Sequence, residues 1–227
     1  MGPILRAFAL LVICTPVWAA SGLGNFTQAD TATALREALS QGAGRAIDQL
    51  GRQDGFLGNA KVRIPLPEVL EKAEPLLRMT GRGKDLDNLV TTMNRAAEAA
   101  VPEARTLLTD AVRQMTVEDA KKILTGGDDS VTQYFRQHTE TRLTERFLPV
   151  VKQNTDRLAL AGQYNKLAGQ ASSVGLLKAE DAQIENYVTR KALDGLYLMI
   201  AEEERAIRAN PVQAAGTWAK RIFGAIQ

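Results

Sequence analysis

The side chains best suited to chemistry in this sequence are carboxylates that interrupt apolar helical surfaces. In residues 195–211, GLYLMIAEEERAIRANP, an apolar stripe reaches Ile200, and its helical spacing continues to Glu203 or Glu204. At least one of these two carboxylates should therefore point toward the core. An ionised carboxylate is too costly to bury without a partner. Arg208 follows Glu204 by four residues, which is the favourable order for a helical ion pair.

A second polar group interrupts another apolar stretch, residues 93–100, with the sequence MNRAAEAA. Asn94 and Glu98 stand four residues apart, with Arg95 between them, among alanines small enough for a close helix approach. We expect the two helices to cross here, so that their polar side chains form one hydrogen-bonded network. The predicted members of this network are Asn94, Arg95, Glu98, Glu203, Glu204 and Arg208.

Such a network could be a buried ion pair that fixes helix register, the lining of a ligand pocket, or a catalytic centre. The scarcity of the usual catalytic side chains favours a binding or interaction module that holds an unknown partner protein or a small, amphipathic molecule. The alternative is a hydrolase in which Glu98 and either Glu203 or Glu204 act as acid and base. Such a pair must flank a cleft at a separation of about 5 to 10 Å. We assign no residue a catalytic role from the sequence.

The sequence offers little for metal or cofactor chemistry. His138 is the only histidine and Cys14 the only cysteine, which excludes sites that need two imidazoles or several thiolates. A ferritin-like dimetal site would place Glu three residues before a histidine, but Phe135 stands there. Because His138 follows Tyr134 by four residues, we expect a half-buried, hydrogen-bonded histidine. We predict no metal and no cofactor.

The first nineteen residues have the features of a cleaved signal peptide, with an apolar run from Ala7 to Val17 and small residues up to Ala19. The run is shorter than the roughly 20 residues of a transmembrane helix, so we expect removal after Ala19 and export. A lipoprotein is the other possibility, but the residue before Cys14 would then be small, and Ile13 stands there. The mature chain would lack cysteine, so its stability must come from a packed core.

Charge and hydropathy limit the possible partners. The chain carries 28 Lys and Arg against 26 Asp and Glu, a formal net charge of +2, and no basic patch that would attract nucleic acid. After signal removal no second long apolar stretch remains, so we predict no transmembrane segment. The C-terminal residues Trp218, Lys220, Arg221 and Phe223 leave open a weak association with the cell envelope, although residues at that spacing are more often core.

Helical periodicity runs through almost the whole chain and predicts an all-α protein. We expect a single compact domain over residues 20–227, with its core at about 30–224 and about nine or ten helices. This number counts an interruption at Pro149 and a final helix opened by Pro211. Thr116 with Asp119 resembles a capping box.

One short stretch, residues 61–66, departs from helical periodicity. Val62, Ile64 and Leu66 alternate there with polar residues and Pro65, which is typical of an extended segment. Proline is confined to the edge of a sheet. An apolar strap laid across helices is therefore favoured over a strand.

Five stretches of the chain, in order, resemble an uncharacterised family of exported bacterial proteins known as domain of unknown function 4197. They are DGFLGNAKVRIPLP (54–67), MNRAAEAAVPEA (93–104), DAKKILTGGDDSVTQYFR (119–136), YVTRKALDGLY (187–197) and AEEERAIRANP (201–211). The resemblance implies a helical periplasmic or envelope protein of Gram-negative bacteria. It brings no activity, cofactor or catalytic residue, although its motifs coincide with the predicted network at Asn94, Arg95, Glu98, Glu204 and Arg208.

Overall fold

The structure, a computed structural model, describes residues 28–173 and 182–209. Eight α-helices and one 3-10 helix lie in these two ranges and no strand does, which confirms the all-α prediction. The helices are α1 (Gln28–Gly51), α2 (Glu68–Met79), α3 (Gly83–Ala100), the 3-10 helix (Val101–Glu103), α4 (Ala104–Gln114), α5 (Val117–Thr125), α6 (Ser130–Thr155), α7 (Ala159–Ser173) and α8 (Ile184–Ala209).

The expected number of helices, nine or ten, is higher than the number of α-helices in the described residues. Pro149 does not end a helix, because α6 runs through it from Ser130 to Thr155. Phe147 and Val151, on either side of the proline, are both fully buried. Their packing outweighs the backbone hydrogen bond that proline removes. The predicted helix after Pro211 lies outside the described residues, as does the predicted signal peptide.

The helices share one hydrophobic core and form a single compact domain. The long helix α6 packs against both α3 and α8, while α1 lies across α8 and α4. Phe135, Leu143 and Phe147 of α6 are fully enclosed, and Tyr197 of α8 is almost so. This arrangement places α3 and α8, which carry the polar stretches noted in the sequence, against each other and against α6. None of the helices in the described ranges is long and apolar enough to cross a membrane.

Residues 61–66 form the predicted strap and pair with no strand. Val62, Ile64 and Leu66 are buried against the helices, while the residues between them, including Pro65, face solvent. The alternation of apolar residues with the others therefore reflects one buried side of the segment, as in a strand. The backbone partners that a neighbouring strand would supply come here from a side chain of α3.

The capping box at the start of α5 is confirmed. The backbone N–H of Asp119 donates to Thr116 Oγ1 at 3.0 Å, and the N–H of Thr116 donates to Asp119 Oδ2 at 3.0 Å. The Thr116 hydroxyl also donates to Asp119 Oδ2 at 2.7 Å, and this bond, with the smaller effect of the Thr116 backbone N–H, holds the pKa of the Asp119 carboxyl below its usual value. This box fixes the start of the helix that borders the groove described below.

Candidate functional site

The structure divides the six predicted network residues into two separate groups and one surface residue. Asn94, Arg95 and Glu98 contact the connection between α1 and α2, residues 52–67. Glu204 and Arg208 contact the end of α5 and the start of α6. Within the described residues, no hydrogen bond or ion pair joins the two groups. Helices α3 and α8 do pack together, but their polar side chains project to different neighbours.

Glu98 binds the backbone of the α1–α2 connection. Its Oε1 accepts the backbone N–H groups of Phe56 at 3.0 Å and Leu57 at 3.1 Å, while Oε2 accepts Arg95 Nη1 at 2.7 Å. The second arm of Arg95 reaches Asp54 Oδ1 at 2.8 Å, and its hydrogen bond to Glu98 raises the pKa of Arg95. Both oxygens of the buried Glu98 carboxylate are thus hydrogen-bonded. This meets the expectation from the sequence that a buried carboxylate needs partners.

The same connection packs an aromatic ring against Gly195 of α8. Phe56 is fully buried, and a Cβ atom on Gly195 of α8 would lie 2.7 Å from its Cε1. Glycine is required at position 195 because any larger side chain would occupy the space of the ring. Glu98 of α3 therefore fixes the backbone of a residue whose side chain packs against α8, so that Phe56 links the two helices.

Glu204, a residue of α8, caps the start of a different helix, α6. Its Oε1 accepts the N–H of Val131 at 3.1 Å, and its Oε2 accepts the N–H and the hydroxyl of Thr132, both at 3.2 Å. These N–H groups belong to the first turn of α6, where helical partners are missing and the helix dipole favours negative charge. Glu204 is 3% exposed, so it supplies a buried anion at that helix end.

Arg208 completes this second group. Its Nη2 donates to Glu204 Oε1 at 2.9 Å, to Ser130 Oγ at 2.7 Å and to the Ile123 carbonyl oxygen at 3.1 Å. One guanidinium thereby neutralises Glu204 and ties the end of α5 to the start of α6. The predicted pairing of Glu204 with Arg208 along α8 is present in this geometry.

Glu203, the neighbouring carboxylate, faces the surface. It accepts Arg45 Nε of α1 at 2.7 Å, and both side chains are partly solvated. Glu202 likewise pairs with Lys61 of the strap at 2.7 Å. Such exposed ion pairs contribute little to stability. Of the three consecutive carboxylates, Glu204 alone lies on the buried face of α8.

An open groove of about 390 Å³ lies beside the Glu204–Arg208 pair. We call it the α1–α8 groove, although α5 and α6 also line it. Its apolar walls are Leu35, Leu39, Ile123, Leu124, Val131 and Ile207, and its polar lining is Asp128, Glu204 and Arg208. Sequence reasoning found two of the polar residues but missed the walls, because these come from four helices whose packing no local pattern reveals.

The single histidine is hydrogen-bonded, as predicted, but it is exposed rather than half-buried. Its Nδ1 lies 2.7 Å from the carbonyl oxygen of Tyr134, and its ring stacks on the Tyr134 ring at 4.2 Å between centroids. These contacts satisfy the ring locally. The described residues contain no cluster of three or more His, Cys, Asp or Glu that could hold a metal ion.

Comparison with known proteins gives one family assignment. A family model described as "Protein of unknown function (DUF4197)" matches residues 25–224. No curated protein and no solved structure matches the chain significantly. The matched range includes both polar groups and every residue that lines the groove.

Proposed function

The chain belongs to the DUF4197 family of proteins of unknown function, and we propose that it is an exported binding module whose α1–α8 groove holds an amphipathic partner. The single observation that carries this proposal is an apolar groove built beside a neutralised ion pair. The partner is a small amphipathic molecule or an amphipathic helix of another protein.

The dimensions and lining of the groove support the proposal. Ligand sites commonly enclose about 300 to 1,000 Å³ and combine mostly apolar walls with a few polar groups. The α1–α8 groove has a volume of about 390 Å³, and six of its nine lining residues are apolar. An apolar ligand surface placed there would leave water, which is the main favourable contribution to such binding.

The polar lining restricts what the groove would accept. Glu204 is already bound to backbone N–H groups and to Arg208, so it offers no free negative charge to a cation. Arg208 is engaged on its inner side, and its side chain is 29% exposed. An occupant with a mainly apolar body and a small polar end suits this lining better than an inorganic ion.

The alternative hydrolase is not supported by this geometry. Acid–base hydrolysis needs two carboxylates facing one cleft. Glu98 contacts the α1–α2 connection and does not line the groove, whereas Glu204 does. Glu203 pairs with Arg45 at the surface. Each of these carboxylates already has a hydrogen-bonding or ion-pair partner. A catalytic role would require that contact to break.

Export and a periplasmic location rest on residues 1–19, whose short apolar run and small residues before Ala20 are typical of a signal peptide. A module without enzymatic groups would act there by holding or presenting its ligand. Localisation is tested by fractionating cells and comparing the N-terminal sequence of the protein with the expected cut after Ala19.

The groove is tested with native mass spectrometry and the apolar fluorescent probe N-phenyl-1-naphthylamine. We expect a bound molecule in gently released wild-type protein and saturable probe binding. Leu124→Arg, which places a charge on the groove wall, should abolish both. Leu167→Arg is the matched control, because Leu167 lies on α7 outside the groove and is 62% exposed. Equal probe binding by the two variants would refute the groove as the site.

A further inference from the structure

We propose that the α1–α8 groove binds a long-chain fatty acid, with the ligand carboxylate on Arg208 Nη1 and the hydrocarbon chain lying along α1. This inference rests on the groove proposed above as the binding site and names the class of its ligand. Two features of the described residues carry it. One is a cationic N–H that is open to the groove, and the other is an apolar hollow that continues the groove along α1.

Arg208 presents a positive charge to the groove, whereas the negative charge of Glu204 is closed off. Arg208 uses Nε and Nη2 for its bonds to Glu204 and to the junction of α5 and α6. Among the described residues its Nη1 has no hydrogen-bond partner, and the side chain is 29% exposed. Glu204 is 3% exposed and already accepts two backbone N–H groups of α6. Because a guanidinium stays protonated and binds carboxylates well, this arrangement favours an anionic group on the ligand.

The apolar part of the site extends beyond the groove. A second hollow of about 220 Å³ lies between α1 and α5, and Leu124 lines both it and the groove. We call it the α1–α5 hollow. On α1, Ala32 lines this hollow, while Leu35 and Leu39 line the groove. These three residues are three and four positions apart, so they form one continuous face of α1. From Thr31 to Leu39 the two spaces follow α1 for about 12 Å.

The free space sets the direction of the hydrocarbon chain from Arg208. Toward the end of α1, the space beside Gly42 measures about 10 Å³, which is scarcely room for one water molecule. Toward the start of α1, the α1–α5 hollow is larger and has apolar walls that include Val117 and Ala120. A chain whose carboxylate binds Arg208 therefore passes Leu124 and enters the α1–α5 hollow.

The size of the site suits a single hydrocarbon chain better than an α-helix of another protein. A helix with side chains is about 10 Å wide and would fill about 900 Å³ over a length of about 12 Å. The groove and the hollow measure about 390 and about 220 Å³. A helix would therefore rest on the rim with most of its surface in water. An extended hydrocarbon chain can enter, and each methylene group that leaves water tightens binding roughly fourfold.

The head group is tested by displacing N-phenyl-1-naphthylamine with ligands of one chain length. Dodecanoate, dodecanol and dodecylamine, each used below its micelle-forming concentration, differ only in the polar end. We expect dodecanoate to bind most tightly and dodecylamine to bind about tenfold more weakly or worse, because Arg208 donates to an anion and repels a cation. Equal or tighter binding of dodecylamine would overturn the assignment of a fatty acid.

Asp128 gives a second test of the head group that leaves the buried ion pair intact. It lines the groove and would repel a carboxylate, but it is exposed, so water and salt screen its charge. Asp128→Asn should tighten binding of dodecanoate by about twofold to fivefold and should weaken binding of dodecylamine. The helical circular dichroism and the thermal midpoint should not change. Unchanged affinity for both ligands would contradict a charged head group at this end of the groove.

The path of the hydrocarbon chain is tested with Val117→Asp, which places a charge in the α1–α5 hollow. Val117 is 42% exposed and lies in the first turn of α5, where a carboxylate is favourable, so the protein should stay folded. Binding of palmitate should weaken by about tenfold or more, which corresponds to the loss of about two buried methylene groups. Binding of the shorter octanoate should change little.

Val69→Asp is the matched control for this variant. Val69 is 43% exposed, lies in the first turn of α2 and lines neither the groove nor the hollow. It should leave the affinities for palmitate and octanoate unchanged. Equal effects of Val117→Asp and Val69→Asp on palmitate would overturn the proposed path along α1.

The titrations separate this inference from the proposed function. Displacement of the probe by dodecanoate in preference to dodecylamine supports both. Saturable probe binding that no fatty acid reverses supports the groove as a binding site and contradicts a fatty acid as its ligand. Absence of saturable probe binding in protein with helical circular dichroism contradicts the proposed function itself.

Discussion

Asn94 of α3 binds the backbone of Ile64 in the strap as a neighbouring β-strand would. The Ile64 N–H donates to Asn94 Oδ1 at 2.8 Å, and Asn94 Nδ2 donates to the Ile64 carbonyl oxygen at 2.9 Å. The same Nδ2 also donates to the Val90 carbonyl oxygen at 2.8 Å. Asn94 is completely buried. One amide group thus satisfies both backbone groups of a strap residue that no strand accompanies.

Asn94→Asp should destabilise the protein strongly at neutral pH. The change keeps the shape but sets a carboxylate oxygen against two carbonyl oxygens, at a cost of about 3 kcal/mol. Burial and the carbonyls should raise the pKa of the new carboxyl, so the loss should shrink as pH falls toward about 4. Urea unfolding measures this, with Asn88→Asp on the exposed face of α3 as control. Equal unfolding midpoints for the two variants would contradict the role given to Asn94.

Glu98→Ala should cost about 3 kcal/mol of unfolding free energy, because it leaves the Phe56 and Leu57 N–H groups without an acceptor. Glu98→Gln retains one carbonyl oxygen and should lose roughly half as much. The control is Glu145→Ala on an exposed face of α6, which should stay within about 0.5 kcal/mol of wild type. A loss for Glu98→Ala no larger than that of the control would show that the connection is held by Phe56 packing alone.

Gly195→Ala and Gly162→Ala should change stability in opposite directions. Both glycines lie within helices, where alanine is intrinsically better by about 1 kcal/mol. A Cβ at Gly162 meets nothing within 4 Å, whereas one at Gly195 would lie 2.7 Å from Phe56 Cε1. We expect Gly162→Ala to raise the thermal midpoint and Gly195→Ala to lower it, with a net loss of about 1 to 3 kcal/mol from overpacking. A stabilising Gly195→Ala would mean that Phe56 can move aside.

Glu204 and Arg208 should be energetically coupled, unlike a similar pair at the surface. A double-mutant cycle with alanine at both positions should give about 1 to 3 kcal/mol of coupling, because the carboxylate is buried and shared with α6. The control is Glu68 with Lys72, another helical pair spaced by four residues but exposed, for which we expect no resolvable coupling because solvent screens the pair. Similar coupling energies for the two cycles would mean that the start of α6 is stabilised by the hydrogen bonds to its backbone and not by the Glu204–Arg208 ion pair.

Tyr197 should make the protein less stable at high pH. Burial raises the pKa of its hydroxyl to about 12, compared with about 10 in an unfolded chain. The folded state therefore favours the protonated form. This contribution is complete below about pH 10 and is lost as pH rises to about 12, at most about 3 kcal/mol.

Tyr197→Phe is the variant that checks this dependence, measured as unfolding free energy at several alkaline pH values. It should flatten the decline, although Tyr134 also has a raised pKa and will leave part of the slope. The variant loses the contact between the hydroxyl and Thr139 Oγ1 at 3.1 Å, so its stability near pH 8 should be slightly lower. An unchanged alkaline slope would assign the effect to other groups.

Several features of the fold could be read from the sequence because they depend on neighbours along the chain. The helical spacing of apolar residues, the Thr116–Asp119 capping box and the alternating strap at residues 61–66 are all local patterns. The helix count was too high for a related reason. The local rule for proline predicted a break at Pro149, but core packing on both sides carried α6 through it.

The sequence by itself determined that Glu98 and at least one of Glu203 and Glu204 interrupt apolar helical faces and require partners, since burying an unpaired charge is costly wherever it occurs. Only the tertiary structure decided that Glu204 is the buried one and which groups are the partners. Glu98 binds N–H groups about 40 residues earlier in the chain, and Glu204 binds the start of α6 more than 70 residues away. The α1–α8 groove likewise exists only where four helices meet. Long-range contacts depend on how helices pack as rigid bodies, and helical periodicity carries no information about that arrangement.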